Sequence, residues 1–305
     1  MDKREILKLL DLPFKELISL ADRARRDSLG DSLELCSIMN AKCGLCSEDC
    51  KFCAQSSRHH TGINTYPLKN KEEMLAAARR ARDIGAERFD IVTSGDRLSK
   101  EELKTIAEAI FEITTSLNIK MCASLGSLEE EDFLLLKGAG LSRYHHNLET
   151  SPGYFPKIVT THTFEERVET IRAAKKAGLQ VCSGGIVGMG ETMDDRIELV
   201  FWLKELDVDS IPLNILVPIK GTPLEKQEQL SVKDALKTIA LFRIILKDKI
   251  IKIAAGRESF FGDTQVSAFK AGANGMLIGG YLTIKGQEVE RDRRLIEEIK
   301  KAWSD

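Results

Sequence analysis

Residues 180–217 read QVCSGGIVGMGETMDDRIELVFWLKELDVDSIPLNILV, and this stretch holds the unit from which the chain is built. A β-branched, glycine-containing run fills 180–187, helical spacing follows over 192–207, and a second β-branched run occupies 210–217. Strand alternating with helix in this way predicts a parallel α/β sheet.

The same alternation extends in both directions. Strands are expected over 33–40, 88–94, 119–125, 143–149, 180–187, 210–217, 250–255 and 275–282. Helices are expected over 71–84, 100–117, 128–138, 164–178, 192–207, 232–247 and 264–271, with one more before the first strand and one at 287–303. Eight strands separated by seven helices is the count of an α/β (β/α)8 TIM barrel, here with N- and C-terminal helical extensions. No Pro/Gly/Ser-rich seam and no long-period repeat divides the 305 residues, so a single domain over 1–305 is expected, with its core at about 33–283. Ser99, Ser127 and Thr163 stand at helix starts as expected caps, Thr163 with Glu166 forming a capping box. In such a barrel the chemistry sits at the C-terminal ends of the strands.

Composition excludes several classes. Forty-five basic against 47 acidic side chains leave a formal charge of −2, without the basic excess of a nucleic-acid or anionic-membrane protein. No apolar run is long enough to span a membrane, and the early acids Asp2, Glu5 and Asp11 do not suit a targeting peptide. A cytoplasmic protein with reduced thiols is expected, and an odd, clustered set of seven cysteines points to metal or catalysis over disulfides.

After the first strand comes NAKCGLCSEDCKFCAQSSRHH (40–60), in which Cys46, Cys50 and Cys53 are spaced C-x3-C-x2-C. Three thiolates this close can hold one face of a cubane cluster and leave its fourth iron without a protein ligand. A zinc knuckle would use two separated pairs, and adding Cys43 to Cys46 would make a cramped tetrahedron.

This loop resembles that of the radical S-adenosylmethionine (SAM) superfamily, and the chain is similar, within it, to the biotin synthases. The likeness is carried by CSEDCKFCAQSS (46–57), HHNLETS (145–151), TTHTFEERVETI (160–171), VCSGGIVGMGE (181–191), PLNILVPIKGTPL (212–224), AAGRE (254–258) and AGANGMLIGGYLT (271–283). It implies a sulfurtransferase that converts dethiobiotin to biotin, with a [4Fe-4S] cluster on Cys46, Cys50 and Cys53 binding SAM. It also implies an auxiliary iron-sulfur cluster, [2Fe-2S] or larger, that supplies the sulfur. By the same likeness Phe52 lies near the adenine, Glu149 binds the ribose hydroxyls, Arg167 pairs with the SAM carboxylate, and Asn147 and Asn214 contact the ureido ring. Cys122, Cys182 and Arg257 match three ligands of the auxiliary cluster. The fourth, a strand-two cysteine, is replaced by Asp90, a harder donor poorly suited to such a cluster. Cys36 on the neighbouring first strand is expected to take its place, and Cys43 reads as a spectator. An electron donor such as flavodoxin or ferredoxin, iron-sulfur assembly proteins and a homodimer are the expected partners. The alternatives are a hydrogenase-maturation or methylornithine-type barrel with no sulfur to donate, and a non-catalytic iron-sulfur carrier.

Two further features are read as structural. SGGIVGMGE (183–191) lacks the G-x-G-x-x-G order of dinucleotide folds, so its glycines are expected to admit close backbone approach to SAM. The pairs His59–His60 and His145–His146 have no carboxylate at metal spacing and read as loop and strand-end packing.

Overall fold

A computed structural model describes residues 3–283 and 286–304; Asp2 and the extreme ends of the expected 1–305 domain lie outside the described residues. Two helices come first, α1 (Lys3–Leu10) and α2 (Phe14–Leu29). The strands are β1 (Glu34–Lys42), β2 (Arg88–Thr93), β3 (Lys120–Ser124), β4 (Leu141–His145), β5 (Gln180–Cys182), β6 (Gly185–Val187), β7 (Ser210–Ile215), β8 (Ile250–Ile253) and β9 (Gly275–Leu277). Between and after them run α3 (Lys71–Asp83), α4 (Lys100–Ser116), α5 (Glu130–Gly138), α6 (Phe164–Lys176), α7 (Met193–Glu205), α8 (Val232–Leu246), α9 (Arg257–Phe261), α10 (Val266–Lys270) and α11 (Val289–Ser304).

All strand pairs are parallel, in the order β5-β4-β3-β2-β1-β9-β8-β7-β6, and the pairing of Cys182 with Ser210 closes the ring between β5 and β7. The result is the expected (β/α)8 barrel, with β5 and β6 as two halves of its fifth strand. Among the described residues no helix is long and apolar enough to cross a membrane.

Alternation along the strands divides the interior from the outer core. Phe89, Ile91, Met121, Tyr144, Val181, Ile211, Ile251 and Met276 face outward into one large apolar core with the helices. The inward positions are different: Arg88, Asp90, Cys122, Arg143, His145, Cys182 and Lys252 line the lumen. Layers of branched aliphatics usually fill this space. Here it holds charge, sulfur and a cavity of about 320 Å³.

The sequence reading needs three corrections. Strand five is interrupted after Cys182, because Gly184 presses against the Pro212 carbonyl and Gly185 against the Glu149 carbonyl; a Cβ would stand 2.0 Å and 2.3 Å from those oxygens. Strand four ends at His145 rather than at 149, and Glu149 takes a left-handed φ of 69° in the turn beyond it. Ser127 is not the cap of α5, which begins at Glu130 behind Glu129; the Ser127 hydroxyl donates to Asp96 at 3.0 Å. The Ser99 and Thr163 capping boxes form as expected.

The Gly184→Ala protein is expected to lose about 2–3 kcal/mol of stability, since the clash is with backbone that cannot rotate away. Urea denaturation checks this: a midpoint within error of the parent's would show that the strand break tolerates a side chain.

Candidate functional site

The cysteine loop leaves β1 beside a backbone pairing of Cys43 with Tyr66, 3.1 Å in both directions, which buries Cys43 away from the other three thiols' loop. It then folds back on itself. The Cys46 N–H donates to the Gln55 carbonyl at 3.1 Å, Ser57 N–H to the Cys46 carbonyl at 2.8 Å, and Cys53 N–H to the Cys50 carbonyl at 2.9 Å. The acids between the cysteines dock this loop onto residues 158–163. Asp49 accepts from the Thr160 and Thr161 N–H groups at 2.9 and 3.3 Å and from both hydroxyls, which outweighs its partial burial and holds it down to about 2. Glu48 accepts from His162 Nδ1 at 2.6 Å, and Lys51 N–H donates to the Ile158 carbonyl at 3.0 Å.

Burial pushes the Cys50 thiol well above its usual range and Cys53 to about 11, each reinforced by neighbouring thiols. Among the described residues no three His, Cys, Asp or Glu groups converge on one ion-sized point, as a mononuclear zinc site requires. A soft, sulfur-only set grouped on one loop fits an iron-sulfur cluster instead.

Cys53 and Phe52 reach the cavity mouth together with Asn147, Glu149, Arg167 and Asn214. Arg167 on α6 donates through Nε to the Asn147 carbonyl and through Nη1 to His162 Nε2 at 3.1 Å, while Nη2 lies 3.6 Å from Glu149. Glu48, His162, Arg167 and Glu149 therefore form one connected chain from the cysteine loop to the mouth. Burial raises the Glu149 carboxyl, partly offset by Arg167 and His145.

Both asparagines are anchored on the two-glycine break. Asn147 Oδ1 accepts from Gly184 N–H at 3.1 Å and from His145 Nε2 at 3.0 Å, and its Nδ2 donates to Glu149 at 3.4 Å. Asn214 Nδ2 donates to the Gly185 carbonyl at 3.3 Å, and its Oδ1 accepts from Ala255 N–H at 3.0 Å.

The floor of the lumen is an ion cluster around one carboxylate. Glu34 on β1 accepts from Arg88 Nε at 2.8 Å and Arg143 Nη1 at 2.7 Å, and Lys252 Nζ lies 3.4 Å away. Burial works against its charge, yet Lys252, Arg143 and Arg88 hold Glu34 down to about 2. Arg88, Arg143 and Lys252 outnumber the lumen carboxylates Glu34 and Asp90, which leaves excess positive charge in a buried pocket. Cys36, Cys122 and Cys182 face it, all buried. Lys252 Nζ donates to Cys36 Sγ at 2.8 Å, and Arg88 Nη1 lies 4.0 Å from Cys122 Sγ. Burial, reinforced by Asp90, pushes Cys122 up to about 12 against Arg143 and Arg88, and burial raises Cys36 well above its usual range against Lys252. The Arg143 Nε and Asp90 Oδ1 atoms are buried here with no partner among the described residues.

Of the expected site residues, Cys36, Phe52, Cys53, Cys122, Asn147, Glu149, Arg167, Cys182 and Asn214 line the cavity, while Cys46 and Cys50 lie on the cysteine loop outside its lining and Arg257 lies elsewhere. Arg257, expected beside Cys122 and Cys182, instead opens α9 outside the cavity lining, fully buried, with Nη2 2.8 Å from Asp292 of α11 and 3.1 Å from the Leu277 carbonyl. The cation that β8 sends into the lumen is Lys252. His145 is likewise more than packing: its Nδ1 meets Asp90 at 3.1 Å, and Cys182 with these hydrogen bonds raises it to about 9 against the opposing effect of burial. Sequence reasoning missed Glu34, Arg88, Arg143 and Lys252. The available signal was lone charges at inward positions of apolar strands, as in RFDIVT and IIKI.

Comparison with known proteins agrees with this geometry. Residues 43–203 match the radical SAM superfamily model, and residues 212–300 match that of the Biotin and Thiamin Synthesis associated domain. The sheet passes from one segment to the other where β6 pairs with β7, and β1, which precedes both segments, pairs with β9. Biotin synthase of Thermotoga petrophila is 52% identical over 297 residues, 97% of this chain and 98% of that protein. Biotin synthase of Thermotoga neapolitana is 55% identical over 269 residues, 88% and 96% of the two chains. Among solved structures, methylornithine synthase superposes with a TM-score of 0.85 at 22% identity, over 98% of this chain and 92% of that one, and shows the same fold.

Replacing Glu34 by Gln is expected to cost about 3 kcal/mol, because three buried cations lose their only shared anion. The folded pKa lies below the unfolded one, so this stability is present above about pH 4.5 and is lost as pH falls toward 2. Urea unfolding of both proteins across that range should show the difference shrinking on acidification. A pH-independent difference would mean that Glu34 acts by packing alone.

Proposed function

The chain belongs to the biotin synthase family of radical SAM enzymes, and on that premise we propose how its own residues divide the conversion of dethiobiotin to biotin between the mouth and the floor of the barrel. When bound, a [4Fe-4S] cluster with SAM supplies the reductive cleavage that generates a hydrogen-abstracting radical, and an auxiliary iron-sulfur cluster supplies the sulfur atom.

Cys46, Cys50 and Cys53 would hold the first cluster near the mouth, and as three protein ligands they would leave it able to bind SAM. Phe52 covers the adenine, Glu149 accepts from the ribose diol, and Arg167 presents a guanidinium to the SAM carboxylate. Asn147 and Asn214 face the ureido ring. With Asn147 Oδ1 already accepting two hydrogen bonds, its free contribution is an Nδ2–H, which suits the urea carbonyl. Ile38, Val92, Ile186, Ile215 and Leu277 give the apolar wall against which saturated carbons are held and from which water is excluded.

Cys36, Cys122 and Cys182 hold the auxiliary cluster. The observation that carries this reading is the lumen floor, where three thiols from three strands face a pocket with excess positive charge. Lys252 at Cys36, and Arg143 and Arg88 at Cys122, offset part of the burial cost of the thiolate forms that would bind iron, and Arg143 Nε, unpartnered among the described residues, would be placed to donate to a sulfide. Cys36 takes the place left by Asp90, and Lys252 rather than Arg257 is the cation of this site. Electrons reach the mouth from a flavodoxin or ferredoxin, and assembly proteins load the clusters, in a reducing cytoplasmic setting; the working form is a homodimer.

Iron and acid-labile sulfide, counted per chain after anaerobic reconstitution, test the two-site reading. The triple Cys46, Cys50, Cys53→Ala protein should keep the auxiliary complement, and Cys36→Ala should lose that complement while keeping four irons at the mouth. A triple variant devoid of iron would leave one cluster only and remove sulfur transfer. A Cys36→Ala protein with its full second complement would exclude Cys36 as a ligand.

A further inference from the structure

Asp90 and His145 have no part in the ligand sets above, yet both line the cavity, Asp90 buried and His145 half-buried. His145 closes β4 and Asp90 stands on β2, and their side chains meet across the lumen at 3.1 Å. The other ring nitrogen of His145 meets Asn147 Oδ1 at 3.0 Å. The identity of that amide atom follows from its surroundings. The Gly184 N–H, 3.1 Å away, can only donate, so the atom facing it is the oxygen; the Glu149 carboxylate, 3.4 Å from the other amide atom, accepts and so faces the nitrogen. His145 Nε2 must then carry a hydrogen, and its Nδ1 faces a carboxylate.

Without that second donor, the Asn147 amide would be held to one N–H from the backbone and one long contact to Glu149. It could then tip toward Arg167 or offer its oxygen to the cavity. A group that must present a donor to a small polar ring gains from having its acceptor occupied from two directions. Asp90 in turn fixes the plane of the imidazole, as a carboxylate behind a histidine does in many sites.

We propose that Asp90 and His145 are positioning residues that lock the Asn147 side-chain amide with its N–H toward the substrate, a relay that uses the aspartate standing where a cysteine would otherwise be expected. This rests on the reading of Asn147 as a ureido contact. The relay makes recognition of the urea carbonyl depend on strand two, from which no direct substrate contact is needed.

The test is dethiobiotin binding to the reconstituted enzyme with SAM present, measured by calorimetry beside KM and kcat and beside the iron and sulfide count. His145→Leu should weaken binding about tenfold, the loss of one oriented hydrogen bond, with the larger effect in KM. His145→Gln, whose side-chain N–H can reach the same oxygen, should recover most of it. Asn147→Ala should weaken binding at least as much, and the double variant no further, because the two act through one contact. Should His145→Leu fold poorly, Asp90→Asn supplies the milder case, with a loss of a few fold. Binding within twofold of the parent for His145→Leu, alongside a weakened Asn147→Ala, overturns the relay and leaves the Asn147 contact standing. If Asn147→Ala itself binds normally, the substrate contact falls and the relay with it. Loss of iron or sulfide from His145→Leu would assign the residue to the auxiliary site instead and also overturn the proposal.

Discussion

One carboxylate organises the interior of this barrel. Glu34 on β1 is shared by Arg88 of β2, Arg143 of β4 and Lys252 of β8, so that four strands converge on a single buried anion. Cations inside a barrel would ordinarily be expelled by the cost of losing water. The shared anion lowers that cost without cancelling the positive charge, and the remainder opposes the burial that raises the Cys36 and Cys122 thiols. The outer core is conventional by comparison: strand faces and helix faces bury aliphatics and aromatics and hold the ring in shape. Division of labour between an apolar outside and an ionic inside follows from the two-residue alternation of the strands.

The second organising feature is the break between β5 and β6. Leu148 and Glu149 N–H groups both donate to the Gly184 carbonyl, and Ile186 N–H donates to the Glu149 carbonyl. The turn after β4 is thereby stitched into the fifth strand. Glu149 accepts a left-handed conformation, rare for a side chain with a Cβ, and strain of this kind gathers where side chains must be aimed. Asn147, Glu149 and Asn214 all derive their directions from this seam.

Much of this was legible beforehand. The βα period, the capping boxes at Ser99 and Thr163 and the C-x3-C-x2-C loop each leave a local pattern, because their physics is local. What stayed hidden depends on distant partners. Nothing in AAGRE distinguishes an arginine facing the lumen from one turned toward Asp292, which is 35 residues away. The importance of Lys252 emerges only once β8 lies opposite Glu34, and that of His145 only once Asp90 crosses the lumen to meet it. In sequence the two glycines look permissive and strand five reads as continuous, whereas the structure shows them as positions with no room to spare.

The seam also sets where the recognition end of the barrel can be altered. Positions 149, 184, 185 and 212 interlock through backbone oxygens, so none of them can drift alone without displacing the others. An engineer seeking a different ring substrate would need to transplant the segments around 145–151, 183–187 and 212–214 as a block. The aliphatic wall, contributed separately by Ile38, Val92 and Leu277, is open to change one residue at a time. Adaptability toward the hydrocarbon portion of a ligand and rigidity toward its polar head are therefore built into different strands of the same ring.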